Sequence, residues 1–417
     1  MNREPQENEM INPWEARAKL PSVPARRTAI TVAVCFICAF GLPFCSYEAV
    51  ALGMLAVLFA YVVYAARAPF SVVLILTTAF LAVTLTADFS IGAMLLTLVV
   101  GTSAGAYLFT VLKRSYVFAL VTVLAAAVVY AVTRDLRTAM LSLSFLPAAM
   151  LLAIATLLGK KRTTAICFAV AGLLVSLLIG MSLAVRDSVG VLNANAIREY
   201  FNAMRDQIIA ALNTTVAPML EQMEALAVDE QSRAVYEMFY SMYGPEGMDS
   251  LVKQLFNVLP ALTVILCMII GFEAQLLLNA SYKTSGLSAV LTKDARVFTM
   301  SVTASVIYAV TFFLKLFIPV GGSLAGAVIQ NICLILLPGL CVIGIQHLLF
   351  TLIGMRARSG FFFVLILAVA ACCLFSGNAI YVLGMWGAYG VITVALHRKL
   401  MGQIRKDGND RDSQGGT

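Results

Sequence analysis

Twelve apolar stretches, each long enough or nearly long enough to cross a bilayer, fill the chain between Thr28 and His397. One polar gap, 186–254, divides them seven to five. A hydrocarbon core about 30 Å thick asks for roughly 20 apolar residues per helix. A content of 61% hydrophobic and 12% charged residues agrees with that demand. The chain therefore reads as all-α: a polytopic transmembrane helical bundle of about twelve spans, with one structured extracytoplasmic helical insertion.

Charge sets the orientation. Arg26 and Arg27 precede span 1 (28–45), and Arg67 separates spans 2 and 3 (48–66, 68–87). Lys113 and Arg114 separate spans 4 and 5 (90–112, 115–133), and Lys160, Lys161 and Arg162 separate spans 6 and 7 (138–158, 163–185). Beyond the gap, Lys283, Lys293 and Arg296 lie between span 8 (255–279) and span 9 (297–318). Arg356 and Arg358 follow span 10 (324–353), and Arg398 and Lys399 follow spans 11 and 12 (360–376, 378–397). With these loops and both tails on one face, 21 of the 29 basic residues lie there, seven lie opposite, and Lys315 sits within span 9. Positive charge marks the cytoplasmic side, so both termini are expected in the cytoplasm and the gap outside. The organisation that follows is a cytoplasmic polar tail (1–27), an N-terminal membrane region (28–185), the extracytoplasmic segment (186–254), a C-terminal membrane region (255–399) and a disordered cytoplasmic tail (400–417). Span 1 reads as retained, because the preceding 27 residues are long, mixed in charge and carry Glu4, Glu7, Glu9 and Glu15. The basic edge suits anionic lipid, and no aromatic or motif pattern points to nucleic acid.

Reactive chemistry is sparse. All nine cysteines lie in or beside apolar spans, and Cys35-Phe-Ile-Cys38, despite its metal-like spacing, has no histidine or charge beside it. Small apolar filler is the simpler account of that pair. The gap holds no cysteine and cannot be stapled by disulfides. The two histidines, His347 and His397, form no metal-binding pair. Gly159-Lys160 lacks the upstream glycine of a phosphate-binding loop, and no Gly-x-Ser-x-Gly elbow occurs. No catalytic residue, metal ligand or cofactor is assigned, and the chain is not expected to be an enzyme.

The gap has helical periodicity. Between Leu192 and Val228 apolar residues recur three or four apart with charges between them, which predicts a long amphipathic helix bent near Pro218. A second helix is expected at 230–243, then a turn at 244–247. This element either lies on the outer leaflet or caps the bundle. The acidic residues, which anionic lipid would repel, favour a cap.

Ionisable and amide side chains inside spans mark function or a buried partner. Glu273 in span 8, with Gln275 and Asn279, is the leading candidate for substrate binding. In span 10, Gln330, Asn331, Gln346 and His347 flank Pro338-Gly339, where a kink or a broken helix is expected. Lys315, near the outer end of span 9, is expected to reach the outer headgroups. The small-residue pair Gly101-x-x-x-Gly105 is too common in membrane spans to be specific. Gly384, Gly387 and Gly390 form a similar face in span 12.

Three stretches carry a family likeness. Leu259-Pro260 opens a span closing at Leu278-Asn279, followed by a basic loop and Gly286. Asn331 precedes an apolar run, Gly344 and a helix end at His347–Leu349. Leu383-Gly384 precedes Trp386, Tyr389 and the basic stop at Arg398–Lys399. In this order they resemble the YybS-like family of uncharacterised bacterial polytopic membrane proteins over 255–399. The opening at Asp294-Ala-Arg296-Val-Phe298 lacks that family's Trp-x-x-Pro-like pattern. The resemblance implies a multi-pass protein of the bacterial inner membrane, and a faint likeness to the membrane subunits of energy-coupling-factor transporters, which borrow their ATPase. Such likeness is at fold level.

Three functions are compatible with these readings. The first is a transport-related protein, a substrate-binding membrane subunit or a permease for a small molecule, served by a separate ATPase or coupling subunit. The second is a scaffold in envelope biogenesis, division or sporulation that binds envelope proteins through 186–254. The third, a lipid-modifying enzyme, has only Arg134, Asp135, Arg137, Glu48 and Asp88 as a candidate cluster. All place the chain in the lipid bilayer.

Overall fold

The computed structural model describes residues 23–66, 69–112, 115–287, 300–318, 323–354 and 380–397. All regular structure among them is helical. Ten helices are long and apolar enough to cross a membrane, and Val302–Lys315 is apolar but shorter. The protein is an all-α polytopic membrane protein. Span 11 (360–376), Cys372, Cys373, residues 1–22 of the N-terminal tail, the C-terminal tail and the opening at 294–298 lie outside the described residues.

The first helices are α1 (Ala25–Gly41), α2 (Glu48–Ala66), α3 (Pro69–Thr86), α4 (Phe89–Val111) and α5 (Ser115–Thr133). Span 6 is divided into α6 (Leu136–Leu141) and α7 (Leu146–Leu157). Pro147 explains the division, because it opens a helix readily but cannot continue one. Then come α8 (Arg162–Val189), α9 (Ala194–Leu226), α10 (Glu230–Tyr243) and α11 (Pro245–Thr284). Last are α12 (Val302–Phe317), α13 (Leu324–Gly354) and α14 (Ile380–His397).

Two turns share one design. Ala87 (φ 54°) and Arg134 (φ 56°) adopt the left-handed conformation that reverses the chain, and each is followed by an aspartate that caps the next helix. Asp88 accepts from the Ser90 N–H, and Asp135 from the N–H groups of Arg137 and Thr138. The Thr138 hydroxyl and these backbone donors hold the Asp135 carboxyl below its ordinary range. Such caps satisfy N–H groups that the first helical turn leaves open.

The structure corrects one expectation and narrows another. A turn is expected at 244–247, but α11 begins at Pro245, which suits a first helical turn, and runs through span 8 to Thr284 before Gly286 with φ 75°. Of the kink or broken helix expected at Pro338-Gly339, the broken helix is not found, because α13 is one helix through Pro338. A proline removes a single N–H, and membrane helices tolerate that loss. Among the described residues of α9 only Ala196 is buried, and α10 buries none.

The chain divides into two compact units: Met1–Phe201 with Leu266–Arg296, and Asn202–Ile265 with Val297–Thr417. In the first, α4 is the central helix; it packs on α1, α2, α3, α5 and α7. A Cβ at Gly101 would lie 2.9 Å from the Phe145 ring, and one at Gly105 would lie 2.8 Å from the Ala149 Cβ. These glycines let α4 approach α7. On the other side of α7, a Cβ at Gly172 would meet the Ala148 backbone at 2.4 Å, so α7 and α8 are in backbone contact.

The second unit has a core of Tyr308, Cys333, Leu337, Leu340 and Ala388. The Tyr308 hydroxyl donates to the Tyr381 carbonyl at 2.9 Å. Here α13 and α14 touch through glycine: a Cβ at Gly387 would lie 2.0 Å from the Leu340 carbonyl oxygen, and one at Gly344 would lie 2.6 Å from that of Leu383. Lys315, expected at the headgroups, lies with its Nζ 3.7 Å from the centroid of the Tyr381 ring, a cation–π contact.

Candidate functional site

Within the first unit, residues 266–287 gather polar groups from five other helices. Glu273 is 3% exposed, and its Oε1 accepts from the Thr78 hydroxyl on α3 at 2.6 Å. It stands eleven residues, or about 16 Å, before the end of α11, and Thr78 stands nine residues, about 14 Å, into α3. Both lie well inside their helices. The ion pairs among the described residues, Arg205–Asp206, Arg233–Glu237 and Lys253–Asp249, do not include Glu273.

Two residues on, the Gln275 side chain faces α8. Its Oε1 accepts from Arg162 Nε at 3.3 Å, and the guanidinium lies 4.8 Å from the Phe272 ring centroid. Glu273 and Gln275 thus turn to different neighbours, α3 and α8, as helical geometry requires of residues two apart. Asn279, four beyond Gln275, is half-buried.

Toward the end of α11 the partners are aromatic and hydroxylic. Thr110 and Tyr282 hydroxyls are 2.8 Å apart, Tyr107 and Ser285 hydroxyls 2.9 Å. Arg27 of α1 donates to the Thr284 hydroxyl, which lies 3.3 Å from the Ala65 carbonyl of α2. Sequence reasoning misses Thr78, Arg162, Tyr107, Thr110, Tyr282 and Thr284. The only signal for Arg162 is its charge, which assigns it to the loop; the hydroxyl residues carry none.

The remaining candidates belong to the second unit. Pro260 in α11 has no N–H and crowds the turn before it, disturbing the neighbouring bond between the Ala261 N–H and the Asn257 carbonyl. The Asn331 carboxamide meets both groups: Oδ1 accepts from Ala261 N at 2.9 Å, and Nδ2 donates to the Asn257 oxygen at 2.7 Å. Asn331 therefore bridges the helix that the proline opens. His347 packs edge-on to Trp386, with ring centroids 6.3 Å apart. Gln330 and Gln346 are half-buried. The seven candidates do not form one cluster within either unit.

Chemically, Glu273 offers a carboxyl group to a cation, a proton or a hydrogen-bond donor. Among the described residues no group of three His, Cys, Asp or Glu is placed to hold a metal ion. Cys35 and Cys38 are buried in α1.

No curated protein and no solved structure matches the chain. One family model matches residues 96–386, more than two thirds of the 417 residues, so the likeness begins in α4 and reaches further toward the N-terminus than the three C-terminal stretches suggest. The chain belongs to the family described as Predicted membrane protein (DUF2232).

Proposed function

We propose that this protein is transport-related: a substrate-binding membrane subunit or permease for a small molecule, with Glu273 as the group that meets the solute. One observation carries the reading. A carboxyl group is buried inside two membrane helices with a neutral hydroxyl as its hydrogen-bond partner. Ionisable groups at such depth are costly and by default mark a functional site. A solute that is singly cationic or rich in hydrogen-bond donors fits one carboxylate and one hydroxyl. Without a phosphate-binding loop, energy would come from a separate ATPase or coupling subunit. The three C-terminal stretches support a YybS-like member of the bacterial inner membrane, and the basic loops support cytoplasmic termini.

Thermal unfolding of the purified protein across a metabolite panel tests this. One compound should raise the midpoint of wild type and leave Glu273→Gln unmoved. Absence of any shift in wild type would count against the reading.

A second reading, an envelope scaffold, is favoured by one feature. The acidic side chains Glu199, Asp206, Glu221 and Glu224 of α9 are all exposed. They would present a surface to a basic partner. Deleting 192–243 should then abolish the cellular phenotype while the membrane helices still insert; full activity after deletion would dispose of it.

A further inference from the structure

We infer that α9 and α10 lie on the outer membrane surface, with their apolar faces in the lipid interface. This is independent of the role of Glu273.

The geometry of α9 separates its residues by chemistry. At 3.6 residues per turn, Ile197, Phe201, Ile208, Leu212, Met219 and Met223 fall on one face, and the four carboxylates fall about 160° round the helix from it. The carboxylates therefore point away from any surface that the apolar face meets, and their repulsion from anionic lipid is small. Arg198 and Arg205 sit at the edge of the apolar face, within about 60° of its centre. Arg205 pairs with Asp206, whereas the Arg198 guanidinium reaches lipid phosphates while its stem stays on the apolar side.

The shorter α10 repeats the design. Val235, Met238, Phe239 and Met242 occupy one side, flanked by Tyr236 and Tyr243, while Glu230, Arg233 and Glu237 occupy the other. Tyrosines bordering an apolar stripe suit the water–lipid boundary.

Two further facts select lipid as the occupant. Leu212 is 36%, Met219 59%, Met238 51% and Met242 48% exposed, so the described residues of their own unit leave these faces open. The segment also leaves the end of one membrane helix, α8, and returns through the start of another, α11. Both ends are thereby tethered at the bilayer, where the effective lipid concentration is high.

The test uses full-length protein carrying Trp14→Phe and Trp386→Phe, reconstituted into phosphatidylcholine vesicles with or without brominated acyl chains. Leu212→Trp and, in a separate protein, Met219→Trp should each lose more than half their emission to bromine. Asp206→Trp, on the acidic face, should keep its emission. Blue-shifted emission at 212 and 219 without bromine quenching would mean a protein surface covers the face, and would overturn the inference. Red-shifted unquenched emission would mean water covers it, and would overturn the inference equally. Quenching that appears only on dilution of protein in lipid would assign the face to a second copy at higher density, and also overturn it.

Discussion

At the scale of single residues, Asn331 shows how an apparent site can be a repair. An amide in an apolar helix reads as a candidate ligand, because its partner lies seventy residues away. Only the fold brings it to the gap beside Pro260. Asn331→Leu leaves the part-buried Ala261 N–H without its acceptor, and should cost about 1–3 kcal/mol. In a Pro260→Ala background α11 can close its own bond, and the same substitution should cost much less. A double-mutant cycle by thermal unfolding in detergent measures this, and equal costs in both backgrounds would refute the bridging role. Glu273 is legible in the sequence, since charge in an apolar run is conspicuous. Thr78 is not, because a threonine in a membrane helix normally bonds to its own backbone, as Thr78 also can at Leu74.

At the scale of helices, the sequence signals number and length far better than contact. Gly101 and Gly105 have a recognisable spacing, yet only Phe145 and Ala149 packed against them distinguish the pair from chance. Gly172 belongs to no pattern at all. It nonetheless permits the closest approach to another helix's backbone among the described glycines of the first unit, and the Ala148 backbone cannot rotate away. Gly172→Ala should therefore destabilise by about 1–3 kcal/mol through overpacking, and Gly172→Val by more. Gly180, on the same helix with open space around it, should accept alanine without loss. Thermal midpoints of the three variants decide the point. Helix ends are legible where a residue changes the backbone, as at Gly190 with φ 81°. Hydropathy alone misjudges them, as at the end of α11.

At the scale of the whole molecule, the membrane class is legible because apolar length leaves little choice, whereas the grouping into two units is not. Hydropathy sees the chain in order and cannot tell that residues after 265 rejoin those before 202. The orientation expected from charge has its check in an impermeant thiol reagent. A cysteine at Ser241 should be labelled from outside intact cells, and one at Lys161 only after permeabilisation. The discontinuous first unit has a consequence for biosynthesis. Gln275 is made 113 residues after Arg162, and Glu273 195 residues after Thr78. At roughly 5–20 residues per second, the early helices wait about 6–40 s for these partners. During that interval a guanidinium and several hydroxyls stand in the nascent bundle with their places unfilled. The N-terminal helices are thus inserted long before they can be finished, and an insertion factor that shelters polar groups would act on this protein in that window.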